Sequence, residues 1–220
     1  MSDERARKIK LLLFDVDGVL TDGTIFVFPA PAGAGVAPEQ ASAGESLLQR
    51  KQEKADAGGY AIVSPTMIEA KGFHAHDGIG MTLARMAGLR LGLITKRISE
   101  TVALRARDLR IDFVRQGVVD KAAALDELLT AAQCTAGEVA YVGDDIIDLA
   151  VMRRCGLAIA VPNARAEVKA EAHYVTEHHG GEGAARDAVE YILRAQGVLD
   201  EIRQAYVEGK RSVTLAGRKT

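Results

Sequence analysis

Apolar residues along this chain fall into two rhythms. Short unbroken runs at residues 10–14 (KLLLF), Arg90–Ile94 (RLGLI), 139–142 (VAYV) and 157–161 (LAIAV) each stop abruptly at acidic residues, threonine, glycine or proline. A run without alternation suits a strand buried on both faces of a parallel sheet. Between these runs, residues 79–87, 101–109, 121–132 and 146–154 carry apolar positions at helical spacing. Strands alternating with helices of this length predict an α/β fold, a doubly wound parallel sheet with right-handed crossovers.

One stretch breaks both rhythms. Residues 29–59 are rich in Ala, Gly and Pro at first and charged later, between the strand-like segments 24–28 (TIFVF) and 60–64 (YAIVS). We expect those segments to pair as a hairpin and the stretch between them to be a flexible, solvated insertion, with a short exposed helix over residues 46–54. Thr135 and Glu138 have capping-box spacing, but the strand-like VAYV directly after them favours a simple turn.

Composition narrows the picture. A chain of 220 residues is long enough for one substantial core, so residues 1–220 are read as a single domain. A net charge of -2 lacks the broad basic surface that nucleic acid requires, so no nucleic-acid partner is expected. No apolar run approaches the ~20 residues of a membrane span, and MSDERARKIK resembles no signal peptide, so the expectation is a cytoplasmic protein with no membrane partner. Cys134 and Cys155 lack CxxC spacing, and the pairs His74, His76 and His178, His179 fit no zinc signature. His76 and Asp77 instead precede a helix start and are expected to edge a substrate pocket.

In open α/β sheets ligands bind beyond the carboxyl ends of the strands. There the sequence places Asp15-Val16-Asp17-Gly18, then Thr95-Lys96-Arg97, then Lys121 after QGVVD, then Gly143-Asp144-Asp145 with Asp148 following. Hydrolysis of a phosphate monoester needs a nucleophile, a proton carrier and much positive charge. Asp15 is the candidate nucleophile, forming an aspartyl-phosphate that water then cleaves. Asp17, two residues on, is expected on the same side and carries the proton. Carboxylates facing a dianion call for a hard cation, so Mg²⁺ is the expected cofactor, with Asp15, Asp17, Asp144 and Asp145 as candidate ligands. Asp148 is read as orienting a ligand or Lys121, and Lys121 as charge for the phosphoryl oxygens. Thr95 offers its hydroxyl and backbone N–H near a helix start, and Gly18 allows close backbone approach.

Taken together, these segments resemble the haloacid dehalogenase superfamily of phosphohydrolases, whose motifs are matched by DVDGVLTDG, the Thr95 strand end, Lys121 and GDDIID. FHAHDGIGMTLARMAGLRLGLIT, QGVVDKAAALDELL and GGEGAARDAVEYIL are more specifically similar to the phosphatases of 3-deoxy-D-manno-octulosonate 8-phosphate. The resemblance covers almost the whole chain outside residues 29–59. It implies a phosphorylated sugar acid as small-molecule substrate, a step in lipopolysaccharide biosynthesis, and a β-hairpin excursion instead of a cap domain. It also implies a homotetramer in which hairpins partly roof neighbouring sites, and a glycine-rich segment at 180–186 that closes over a site. Gly18, Asp77, Gly78, Lys96, Arg97 and Arg186 are the candidate substrate-binding residues, with Arg97 for the substrate carboxylate.

Two departures stand out. The subfamily usually reads T-G-R where this chain has Thr95-Lys96-Arg97, and Gly181-Glu182-Gly183 has a glutamate where an arginine is frequent. The latter, with QGVVDK, is similar to relatives acting on 2-keto-3-deoxy-nononate 9-phosphate. A non-catalytic module of this fold has no need of Asp17, and a signalling receiver domain places its phosphoacceptor after a middle strand, where no isolated Asp lies here.

Overall fold

The structure is a computed structural model that describes residues 2–30, 47–62, 64 and 66–210. Its strands in chain order are β1 (Leu11–Phe14), β2 (Phe26–Pro29), β3 (Tyr60–Ala61), β4 (Met67–Ala70), β5 (Arg90–Ile94), β6 (Arg97–Ile98), β7 (Phe113–Arg115), β8 (Val139–Gly143), β9 (Leu157–Ala160) and β10 (Tyr174–Val175). The helices are α1 (Ser2–Ala6), α2 (Leu47–Asp56), α3 (Ala75–Met86), α4 (Glu100–Asp108), α5 (Lys121–Ala132), α6 (Leu149–Met152), α7 (Ala166–Glu171), α8 (Ala184–Ala195) and α9 (Leu199–Val207).

Six strands form one sheet in the order β10-β9-β8-β1-β5-β7, and every pairing in it is parallel. The unbroken apolar runs lie at its centre: every residue of β1, β8 and β9 is buried, as a strand covered on both faces requires. From β1 the chain moves to β5 and β7, and from β8 it moves the other way to β9 and β10. The order therefore reverses between the neighbours β1 and β8, and a crevice at their carboxyl ends follows from that topology. Helix α3 packs on α8, with α1 and α9 alongside, while α5, α6 and α7 pack as a second group. The doubly wound parallel sheet expected from the sequence is the one observed.

Three expectations change. The hairpin partner of β2 is β4, in register from Phe26 opposite Ala70 to Pro29 opposite Met67. Tyr60 and Ala61 pair in parallel with Arg97 and Ile98 instead. Alternation of period two marks a strand but does not choose its partner. The helix expected over residues 146–154 begins as a 3-10 turn, Ile146–Asp148, and continues only as α6. The excursion holds α2 close to the expected span, and residues 31–46 of the expected flexible insertion lie outside the described residues. The spacing of Thr135 and Glu138 does produce a cap: the Glu138 carboxylate accepts from the Thr135 N–H at 2.9 Å and hydroxyl at 3.0 Å, over the 3-10 turn Ala136–Glu138.

Candidate active site

Asp15 follows the last residue of β1, and its N–H donates to the Val142 carbonyl at 2.9 Å, which extends the β1–β8 pairing by one residue. Asp144 follows β8. Lys121 is placed by a cap: the Asp120 carboxylate accepts from Ala122 N–H at 2.9 Å and Ala123 N–H at 3.0 Å, so α5 starts at Lys121. Its buried ammonium lies 3.1 Å from Asp15 Oδ1, 2.7 Å from Asp148 Oδ1 and 3.1 Å from the Tyr141 hydroxyl. Burial opposes that charge, but the carboxylates of Asp15 and Asp148 outweigh it and raise the lysine above its ordinary pKa.

Asp148 is fully buried and its oxygens are committed. Oδ1 accepts from Lys121 and, at 2.6 Å, from the Tyr141 hydroxyl; Oδ2 accepts from the N–H groups of Asp144 at 2.9 Å and Asp145 at 3.2 Å. It ties Lys121 to the acidic turn. Asp144 is different: its Oδ1 is buried without a hydrogen-bond partner. Burial, and then the charges of Asp15, Asp148 and Asp145, push the Asp144 carboxyl up to about 8. Burial also raises Asp15, against the pull of Lys121.

Carboxylate oxygens of Asp15, Asp144 and Asp148 lie within 4.8 Å of one another. The carboxylates of Asp15 and Asp144, the latter with an orphaned buried oxygen, suit a hard divalent cation held by oxygen, while Asp148 holds Lys121 beside them. This grouping shares Asp15 and Asp144 with the ligand set expected from the sequence, Asp15, Asp17, Asp144 and Asp145. Asp145 is exposed, and its Oδ1 accepts from Ile146 N–H at 2.7 Å as the cap of the 3-10 turn. The Asp17 carboxylate faces other cations, Lys71 at Oδ1 and Arg97 Nε at 3.1 Å from Oδ2.

Gly18 has φ +88, and a Cβ on it would lie 2.1 Å from Asp144 Oδ2. Only glycine lets the acidic turn close this far. The turn is braced from behind: Asn163, just past β9, donates from Nδ2 to the Gly18 carbonyl at 2.9 Å and accepts the Gly180 N–H on Oδ1 at 2.8 Å. Gly180 and Gly181 press on the same turn, where added Cβ atoms would lie 1.8 Å from Gly18 O and 2.4 Å from the Asp22 nitrogen. The glycine-rich segment thus packs against the first acidic turn.

Thr95 is buried at the end of β5, but its N–H donates to the Arg115 carbonyl at 2.9 Å, so only its hydroxyl is available. Helix α4 starts later, capped by Ser99. Asp77, Gly78 and Arg186, expected from the sequence to bind substrate, also make contacts within the fold. Asp77 Oδ1 accepts from the Arg186 N–H at 3.0 Å in the first turn of α8, and the Arg186 guanidinium pairs with Glu190. A Cβ on Gly78 would lie 3.2 Å from Arg105 Nη2 and 3.3 Å from Leu109 Cδ2, which marks helix packing. Lys96 and Arg97 stand beside Tyr60, with Lys96 Nζ 4.5 Å and Arg97 Cζ 5.8 Å from its ring centroid.

Sequence reasoning missed Lys71, Tyr141, Asn163 and Tyr60. Asn163 follows a strand end and the rule that found Asp15 reaches it as well. Tyr141 is one of four apolar-run residues and carries no outward mark of its hydroxyl's partners. Lys71 follows β4, a strand that the sequence pattern did not mark.

A buried acidic cluster with one lysine, at the reversal point of a parallel sheet, defines the class of site, and comparison with known proteins names the family. Residues 93–186 match the model of the haloacid dehalogenase-like hydrolases. The chain is 34% identical over 197 residues to 3-deoxy-D-manno-octulosonate 8-phosphate phosphatase of Yersinia pestis, covering 90% of this chain and 86% of that protein. The enzyme of the same name from Escherichia coli K12 is 34% identical over 199 residues, covering 90% and 87%. Among solved structures, the phosphatase of that name from Moraxella catarrhalis, in complex with magnesium ion, phosphate ion and KDO, superposes with a TM-score of 0.72 at 32% identity and covers 93% of this chain and 97% of its own. The chain belongs to the haloacid dehalogenase-like hydrolases and, with these relatives, to the phosphatases among them.

Proposed function

We propose that this protein hydrolyses 3-deoxy-D-manno-octulosonate 8-phosphate with Mg²⁺, through an aspartyl-phosphate, an acyl phosphate, at Asp15. The observation that carries the reading is the trio of Asp15, Asp144 and Lys121 at the meeting of β1 and β8, where the Asp15 carboxylate pairs with the lysine and an Asp144 oxygen lacks a partner. Asp15 and Asp144 are the residues that would hold the metal, which supplies positive charge to the phosphoryl group when bound. The Asp15 carboxylate forms a bond to phosphorus as the bond from phosphorus to the sugar oxygen breaks. Asp17 gives that oxygen its proton, and then takes one from the water that cleaves the acyl phosphate. Lys121 stabilises the charge gathered on the phosphoryl oxygens, and the Thr95 hydroxyl donates to one of them.

The hairpin supports an oligomer. Phe26, Val27, Phe28 and Ile68 are all more than 40% exposed, and the rings of Phe26 and Phe28 stack at 6.3 Å. A two-stranded ribbon with apolar side chains on both faces is not stable alone in water and marks a contact surface. We assign that surface to the homotetramer that the family resemblance implies.

A phosphate-release screen tests the reaction, using 3-deoxy-D-manno-octulosonate 8-phosphate, 2-keto-3-deoxy-nononate 9-phosphate and hexose phosphates. We expect the first to be the best substrate, EDTA to stop turnover, Mg²⁺ to restore it, and Asp15→Asn to abolish it with the fold intact. Turnover by Asp15→Asn at the wild-type rate would remove the nucleophile; preference for a hexose phosphate would remove the substrate.

A further inference from the structure

The chain between β2 and β4 returns to the mouth of the site. Helix α2 packs on β3, and β3 pairs with β6, which begins two residues after Thr95. The Tyr60 N–H donates to the Lys96 carbonyl at 3.1 Å, and Tyr60 lies opposite Arg97 in the pairing. Lys51 of α2 is buried and pairs with Glu100 at 2.9 Å, which pins α2 to the start of α4. Gly58, at φ +92, turns beside the Val119 side chain in the loop before Lys121. These contacts fix where the Tyr60 ring lies, close to the Lys96 ammonium and flanking the Arg97 guanidinium.

The two cations differ in their anionic partners. Arg97 pairs with Asp17, whereas Lys96 makes no ion pair among the described residues. A cation within about 6 Å of an aromatic ring is attracted by the ring's quadrupole. Unlike a carboxylate, the ring does not cancel the charge, so the ammonium is held in place and still available to an anion. Tyr60 remains 53% exposed, which leaves that side of the cation pair open to a ligand arriving from solvent.

We propose that Tyr60 is a positioning residue for specificity, holding Lys96 and Arg97 together so that they read the acid group of the substrate. This inference rests on the sugar-acid reading above. It gives the returning limb of the excursion a task in substrate choice and leaves phosphoryl transfer to Asp15 and its neighbours.

The test compares kcat/KM for 3-deoxy-D-manno-octulosonate 8-phosphate with that for p-nitrophenyl phosphate, which has no carboxylate. In Tyr60→Leu the ratio of the two falls by about 3- to 10-fold, through a raised KM for the sugar acid. Tyr60→Phe retains the ring and keeps the wild-type ratio. An unchanged ratio in Tyr60→Leu overturns the inference, and so does an equal loss on both substrates, which would mean that the ring only braces the fold. A wild-type enzyme without preference for the sugar acid overturns the substrate reading itself, a result visible before any variant is made.

Discussion

Gly18 shows how little space the site leaves at a single residue. Its φ of +88 is strained for any side chain, and the Cβ of an alanine would lie inside the Asp144 carboxylate. In Gly18→Ala either the acidic turn or Asp144 must move. We expect kcat/KM for p-nitrophenyl phosphate to fall by about 100-fold, the scale of loss that an ångström of misplacement brings. Steady-state kinetics measure it, and wild-type activity in the variant would show that the turn is not held so tightly. At this scale the positions of Asp15, Asp144 and Lys121 were legible, the first two just past strand ends and the third at the start of α5. The directions of Asp17 and Asp145 were not, because the side chain of each is decided by partners distant in sequence, Lys71 and Arg97 for one, or by a local cap for the other.

Between elements, the contact of α3 with α8 carries its own titration. Asp77 is 3% exposed, accepts the Arg186 N–H at the start of α8, and leaves Oδ2 buried without a partner. Burial, partly offset by the Arg186 N–H and by His74, raises its pKa from 3.8 to about 6. The folded state therefore holds this proton more tightly than the unfolded chain does. Its contribution to stability is full below 3.8 and is lost as pH rises through about 6. Asp77→Asn removes that dependence, so its melting temperature should gain on that of the wild type between about pH 4 and about pH 7. Thermal melts across that range check the sign, and parallel curves would place the titration elsewhere. Element positions were readable where one pattern sufficed: α5 and β5 occupy the residues that periodicity assigns them. The partner of β2 was not readable, since YAIVS and MIEA are both short, mainly apolar segments and only packing selects between them.

For the molecule as a whole, the hairpin is an exposed apolar feature. Phe28→Glu places a charge on the exposed apolar ribbon and should convert the proposed tetramer to smaller species in light scattering after size exclusion. A wild-type monomer in the same measurement would refute the assembly. The sequence by itself determined the doubly wound sheet, because buried parallel strands must be apolar throughout and helices between them must be amphipathic. It also determined which strand ends carry acid and lysine, since those are local facts of composition and order. Only the tertiary structure decided that Asp148 is spent on Lys121, Tyr141 and two backbone N–H groups while Asp144 keeps an oxygen free, and that Tyr60 returns to Lys96 and Arg97. Those outcomes depend on distances between segments far apart in the chain, and no local pattern encodes which of several like residues reaches a given partner.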